Sequence, residues 1–177
     1  MIAIIDSGGA NIASVTFALE RCGATGTLTT DAEMIASADK VILPGVGAAP
    51  VAMAQLQKAG LVDCIRGLTQ PVLGICLGMQ LLFERSEEGD TALLGLIPGT
   101  VGAFQSAPGL SIPHMGWNRL LLTTGAAANP LLKGIDDGAH VYFVHSYFAP
   151  VSGDTVAACR YGADFTALVA HGNFMGA

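Results

Sequence analysis

The chain opens on Ile2-Ala3-Ile4-Ile5, an apolar run stopped by Asp6 and the turn Ser7-Gly8-Gly9. Runs this short, closed by polar and glycine residues, suit strands buried on both faces of a parallel sheet. The period then changes. Ile12, Val15, Ala18, Leu19 and Cys22 share one helical face, with Asn11 placed to cap its start and Gly23 its end. A strand near Thr25 to Thr29 follows, and Thr30-x-x-Glu33 fits a capping box for a small helix. Lys40 to Leu43 is the next apolar strand, and the stretch from Pro50 to Ala59 the next helix. Leu61, Ile65 and Leu68 mark a further short helix, and Val72 to Ile75 a fourth strand. Leu77, Leu81 and Leu82 then recur at helical spacing. Alternating strands and helices predict an α/β fold with a doubly wound parallel sheet, whose sites lie at the C-terminal strand ends.

Past this point the pattern shortens. Glu84 to Asp90 reads as a charged, solvated loop. Short β segments are expected at Thr100 to Phe104, Trp117 to Leu122, Ala139 to Tyr147, Thr155 to Arg160 and Ala167 to Ala170. Gly172-Asn173 is expected as a hairpin turn, with Phe174 starting a return strand. Neither repeats nor linkers interrupt the pattern, so residues 1–177 read as one domain.

Apolar residues make up 51% of the chain and charged ones 12%. The mean hydropathy of +0.54 fits a sheet wrapped by helices. The most suggestive apolar run is too short for a membrane span and carries Gln80. A net charge of −6 without a basic stripe argues against nucleic acid. Cys22, Cys64, Cys76 and Cys159 form no Cys-x-x-Cys pair, which argues against zinc and redox dithiols. The N-terminus lacks the basic start of a signal peptide, so the expected compartment is cytoplasmic.

The candidate chemistry sits in Gly74-Ile75-Cys76-Leu77-Gly78. A strand, a glycine-flanked turn and a helix form a nucleophile elbow, here with Cys as the nucleophile. Glycines are needed where a strained turn leaves no room for side chains. The bland alternative is a buried structural Cys in a strand-to-helix turn. Pro44-Gly45-Val46-Gly47 ends another strand on the same predicted rim, and its peptide N–H groups suit a second wall of an oxyanion hole. Two clusters remain. Pro113-His114-Met115-Gly116-Trp117-Asn118 reads as a loop with interface anchors, and Tyr142 to Tyr147 as an aromatic strand end in which Phe143 and Val144 are core residues.

Taken together, Gly74 to Gln80, Pro44 to Gly47, Pro113 to Asn118 and Tyr142 to Tyr147 resemble the class I (triad-type) glutamine amidotransferases. Within that class the likeness is to the glutaminase subunits of imidazole glycerol phosphate synthases, and it covers essentially the whole chain. The resemblance implies a flavodoxin-like, mostly parallel sheet flanked by helices, with antiparallel strands added in the C-terminal half. It implies that Cys76 attacks the carboxamide of glutamine, giving a glutamyl thioester and ammonia. Leu77 and Gly47, with Gly45 and Val46, would supply the backbone oxyanion donors. Gln80, Glu88, His145 and Ser146 would hold the substrate. Pro113, His114, Met115, Trp117, Asn118 and Tyr142 would meet a separate (β/α)8 cyclase subunit that receives the ammonia in histidine biosynthesis. No cofactor, metal, nucleic acid or membrane is implied.

In that family the general base and its orienting acid form a His-x-Glu pair just after the strand that begins near Phe174. Residues 1–177 stop short of it. The expectation is a C-terminally truncated domain with one triad member, inactive as it stands, and with sheet edge and apolar surface uncovered. Of the histidines present, His140 and His171 read as structural, His114 as interfacial and His145 as a substrate contact. His145 is the first suspect should a base lie within the chain. Two alternatives stay open: a binding module that kept the elbow without the base, and a stand-alone Cys hydrolase.

Overall fold

The computed structural model describes residues 1–8, 11–124 and 126–177, together with the backbone but not the side chain of Ala127. Gly9, part of the turn expected after the first strand, lies outside the described residues. The first half runs β1 (Ile2–Ile5), α1 (Ile12–Arg21), β2 (Gly26–Thr29), α2 (Ala32–Ser37), β3 (Lys40–Gly45), α3 (Ala49–Lys58), α4 (Val62–Arg66), β4 (Val72–Cys76) and α5 (Leu77–Leu81). The second half is almost entirely β: β5 (Phe83–Ser86), β6 (Thr91–Ala92), β7 (Ile97–Ala103), β8 (His114–Arg119), β9 (Leu121–Leu122), β10 (His140–His145), β11 (Tyr147–Phe148), β12 (Thr155–Tyr161), β13 (Ala163–His171) and β14 (Phe174–Gly176).

The central sheet has the order β2-β1-β3-β4-β14-β13-β12-β9. Its first five strands are parallel neighbours, and β13, β12 and β9 extend it antiparallel. The apolar runs behave as their composition requires: Ala3, Ile5, Val41, Leu43 and Val72 are at most 1% exposed. The stripe Leu61, Ile65 and Leu68 is buried as its spacing predicts. Ile35, Leu56, Ile65, Leu81 and Phe83 complete a core on the helical side. A second core forms under the antiparallel strands, around Phe104, Leu120, Cys159, Phe165 and Leu168.

Four local expectations need correction. Asp31, not Thr30, caps α2, because its carboxylate accepts from the N–H groups of Glu33 and Met34. Glu84 to Asp90 is not one loop: the elbow helix ends after five residues, and β5 pairs with β6 and β7 before a 3-10 turn at Glu88–Asp90. The stretch from His114 is a strand, not a loop, paired antiparallel with β10 along its whole length. Cys22 points to solvent at the end of α1.

β14 returns from the hairpin at Gly172-Asn173 and inserts between β13 and β4. Asn173 fixes this turn by donating from Nδ2 to the carbonyls of Leu68 and Gln70, each at 2.9 Å. As a result the chain arrives beside the elbow. Ala177 N–H donates to Gly74 O at 3.0 Å, and Cys76 N–H donates to Ala177 O at 2.7 Å.

Candidate active site

Cys76 stands at the C-terminal end of β4 with φ 57° and ψ −117°. A non-glycine residue with positive φ is strained, and such strain persists only where the surroundings enforce it. Here the glycines enforce it. A Cβ on Gly78 would overlap the Leu43 carbonyl oxygen, and one on Gly74 would lie 2.6 Å from Gly78 O. A Cβ on Gly45 would lie 2.7 Å from Gly78 N. The end of β3 is therefore pressed against the start of α5, and Gly45 pairs with Cys76 in register. The Cys76 side chain stays exposed at the tip. By contrast, burial pushes the Cys159 thiol up to about 11 and raises that of Cys64. Their environments favour the protonated, unreactive form.

Cys76 faces a cleft of about 390 Å³. Val46 and Gly47 form one wall, Leu77, Gln80 and Glu88 another, and Pro113 with Val144 to Tyr147 a third. The predicted elbow, glycine loop, Gln80, Glu88, His145 and Ser146 thus come together around one thiol. An apolar cavity of about 490 Å³ shares Cys76, Gln80 and His145 with this cleft and is also lined by Met79, Phe143, Phe165 and Ala177. Leu77 N–H is the first of α5, and helix-start N–H groups have no intrahelical acceptor. Gly47 has φ 90° and open space where a side chain would be. Gln80 donates from Nε2 to Tyr147 O at 3.1 Å, tying α5 to the strand opposite.

The structure places His114 differently from its expected role, and it keeps His145 in the cleft while tying up the ring that is the first suspect for a base. His145 has both ring nitrogens occupied: Nδ1 donates to Tyr147 O and Nε2 accepts from His114 Nδ1, each at 2.9 Å. A carbonyl can only accept, which fixes that tautomer. Asn118 completes the chain from Nδ2 to His114 Nε2 at 3.5 Å. Burial lowers the pKa of His145 to about 4, reinforced by neighbouring His114 against the opposing pull of the Tyr147 carbonyl. His145 in this geometry has no free lone pair with which to serve as a base. His114, expected at an interface, is 3% exposed and stacks between Phe143 and Tyr161. Strand alternation turns it inward and turns its neighbours out.

That outward face is apolar. Trp117 pairs with Tyr142 across β8 and β10, and Met115 with Val144. Their exposures are 70%, 55%, 60% and 58% in that order. Val144, read from sequence as core, belongs to this surface instead. Its even spacing with Tyr142 carried the signal, but only the strand register with Met115 resolves which face is outward. Pro113 lines the cleft, and Asn118 is half-buried, donating to Arg160 O at 3.0 Å.

The glutamine amidotransferase class-I family model matches residues 3–177. The imidazole glycerol phosphate synthase subunit HisH of Xanthomonas axonopodis pv. citri is 54% identical over 176 residues, spanning 99% of this chain and 86% of the relative. HisH of Xylella fastidiosa is 52% identical with the same coverage. Among solved structures, a glutamine amidotransferase superposes with a TM-score of 0.73 at 17% identity, covering 99% of this chain and 87% of that one. The glutaminase domain of a Trypanosoma brucei CTPS with bound acivicin gives 0.67 at 14%, with 99% and 83% covered. These two likenesses establish the fold. Fold, glycine-walled elbow and close relatives agree: the chain belongs to the class-I glutamine amidotransferase family, among the HisH subunits of imidazole glycerol phosphate synthase.

Proposed function

We propose that this chain releases ammonia from glutamine at Cys76 and delivers it to a (β/α)8 cyclase subunit that makes imidazole glycerol phosphate. One observation carries the reading. A strained, exposed Cys on a glycine-walled elbow opens onto a cleft that also holds a carboxylate and an amide. Glu88 suits the α-ammonium of an amino acid, and Gln80 with the Ser146 region suits its carboxylate end. Cys76 Sγ attacks the side-chain carboxamide carbon, and the tetrahedral oxyanion is held by the N–H groups of Leu77 and the Val46-Gly47 segment. The C–N bond then breaks, leaving a glutamyl thioester, and the departing nitrogen takes up a proton to leave as ammonia. Water cleaves the thioester to glutamate and restores the thiol.

The proton transfers need a base. His145 is committed to its two partners, and the resemblance points to a His-x-Glu following the strand at Phe174. Residues continuing β14 would pass alongside Cys76, whose N–H already pairs with Ala177 O. The partner surface is the outward face of Met115, Trp117, Tyr142 and Val144, which adjoins the cleft through Val144. The test is glutamate release, with and without the cyclase subunit and its nucleotide ligand, from this chain and from one carrying the His-x-Glu. Partner-dependent release that Cys76→Ala abolishes supports the reading. Release that survives Cys76→Ala overturns it.

A further inference from the structure

The loop that lines the cleft between β3 and α3 is pinned at both ends. Upstream, Pro44 and Gly45 stay in register with Ile75 and Cys76, and the buried Ser7 donates from Oγ to Pro44 O at 3.0 Å. Downstream, α3 begins at Ala49 behind an N-cap residue, Ala48, that has no side chain able to cap it. The missing cap comes from far along the chain. Glu88 Oε2 accepts the Ala49 N–H at 2.7 Å.

Glu88 is itself held in place. Its N–H donates to the buried Ser86 Oγ at 3.1 Å, and its carbonyl accepts from Thr91 Oγ1 at 2.7 Å. The adjoining Gly89, at φ 64°, fits so closely that a Cβ there would lie 2.6 Å from Pro50 Cγ. The 3-10 turn therefore seats on the first turn of α3. Between the two anchors only Val46, Gly47 and Ala48 are left to set the direction of the loop's N–H groups. Glu88 also lines the cleft beside Cys76, and one carboxylate can accept at both oxygens.

We infer that Glu88 is a positioning residue: by capping α3 it fixes the downstream end of the Gly45-Val46-Gly47 loop, and so couples occupancy of the amino-acid end of the cleft to oxyanion stabilisation. The coupling rests on the glutaminase reading above. The anchoring does not, and the two are tested separately.

Two substitutions divide the roles. Glu88→Gln keeps an oxygen able to accept the Ala49 N–H and loses the charge, whereas Glu88→Ala loses both. Amide hydrogen exchange of the ligand-free chain is read over residues 46–52, with the C-terminal half of α3 as the internal control. Loss of the cap is expected to speed exchange at 46–52 about five-fold in Glu88→Ala. Glu88→Gln should stay close to the parent chain, and the control segment should not change. Parent-like exchange at 46–52 in Glu88→Ala overturns the anchoring, as does equal acceleration in both variants.

Turnover in the complex with the cyclase subunit, from a chain carrying the His-x-Glu, supplies the second readout. Glu88→Gln should raise KM with little change in kcat, while Glu88→Ala should raise KM and also lower kcat. Equal kcat in the two variants would overturn the coupling even where the exchange result stands. If the parent chain fails to bind glutamine, the glutaminase reading and the coupling fall together, and the exchange data still decide the anchoring.

Discussion

At the scale of single residues, the elbow is held by three glycines that act by exclusion. Replacing Gly78 with Ala sets a methyl group on the Leu43 carbonyl, a backbone atom that cannot move aside cheaply. The expected loss exceeds roughly 4 kcal/mol, read as a large drop in the urea midpoint or failure to accumulate soluble protein. Gly47→Ala meets no neighbour, so only the backbone penalty at φ 90° remains, about 1 kcal/mol. The His114–His145 pair sets a pH dependence. Both pKa values lie below that of a free imidazole, so the unfolded chain binds more protons on the acid side of neutrality. Their contribution is complete above the ordinary His pKa and is lost as pH falls from there toward about 4. Stability at pH 5 should therefore lie below that at pH 7, and His145→Gln should flatten the slope. A urea midpoint that does not change between those pH values would contradict the neutral pair. Cys76 and its flanking glycines were legible in the sequence because an elbow constrains residue type at those positions, whereas Gln80 came only from the family resemblance. The His114–His145 contact was not, since it joins residues on two strands whose pairing no local pattern specifies.

At the scale of elements, periodicity identified every strand and helix of the first half. The alternation of apolar runs with helical stripes is a strong local signal there. It failed where a long-range pairing decides the structure. The elbow helix stops after five residues because Phe83 to Ser86 pairs with β7, a long-range contact that overrides the charged composition of Glu84 to Glu88. The same misreading hid the cap that Glu88 provides to α3, 39 residues away in sequence. For β8 and β10, the register rather than the composition decides what faces out. Trp117 and Tyr142 meet edge to face at 5.6 Å between ring centroids and remain largely in solvent. Trp117→Ala should change folding stability by no more than about 0.5 kcal/mol. It should weaken the complex with the cyclase subunit by about 2 kcal/mol. Titration calorimetry and thermal unfolding of the same variant separate the two effects. A large loss of stability with intact binding would assign the Trp117 side to the fold instead.

At the scale of the molecule, the candidate site lies on the rim where the parallel strands end. Its walls are drawn from two regions of the chain, the elbow and glycine loop after the parallel strands β3 and β4, and Val144 to Tyr147 at the junction of β10 and β11. Among the described residues no helix is long and apolar enough to cross a membrane. Apolar side chains fill the two cores and cover the exposed β8–β10 face. The most direct test of the central claim needs neither partner nor base. The chain is treated with an electrophilic glutamine analogue, and the modified cysteine is located by peptide mass mapping. The arrangement predicts one adduct, on Cys76, that glutamine suppresses by competition. Labelling spread over Cys22 and Cys64, or labelling of Cys76 that glutamine leaves unchanged, would contradict a glutamine cleft built around this thiol.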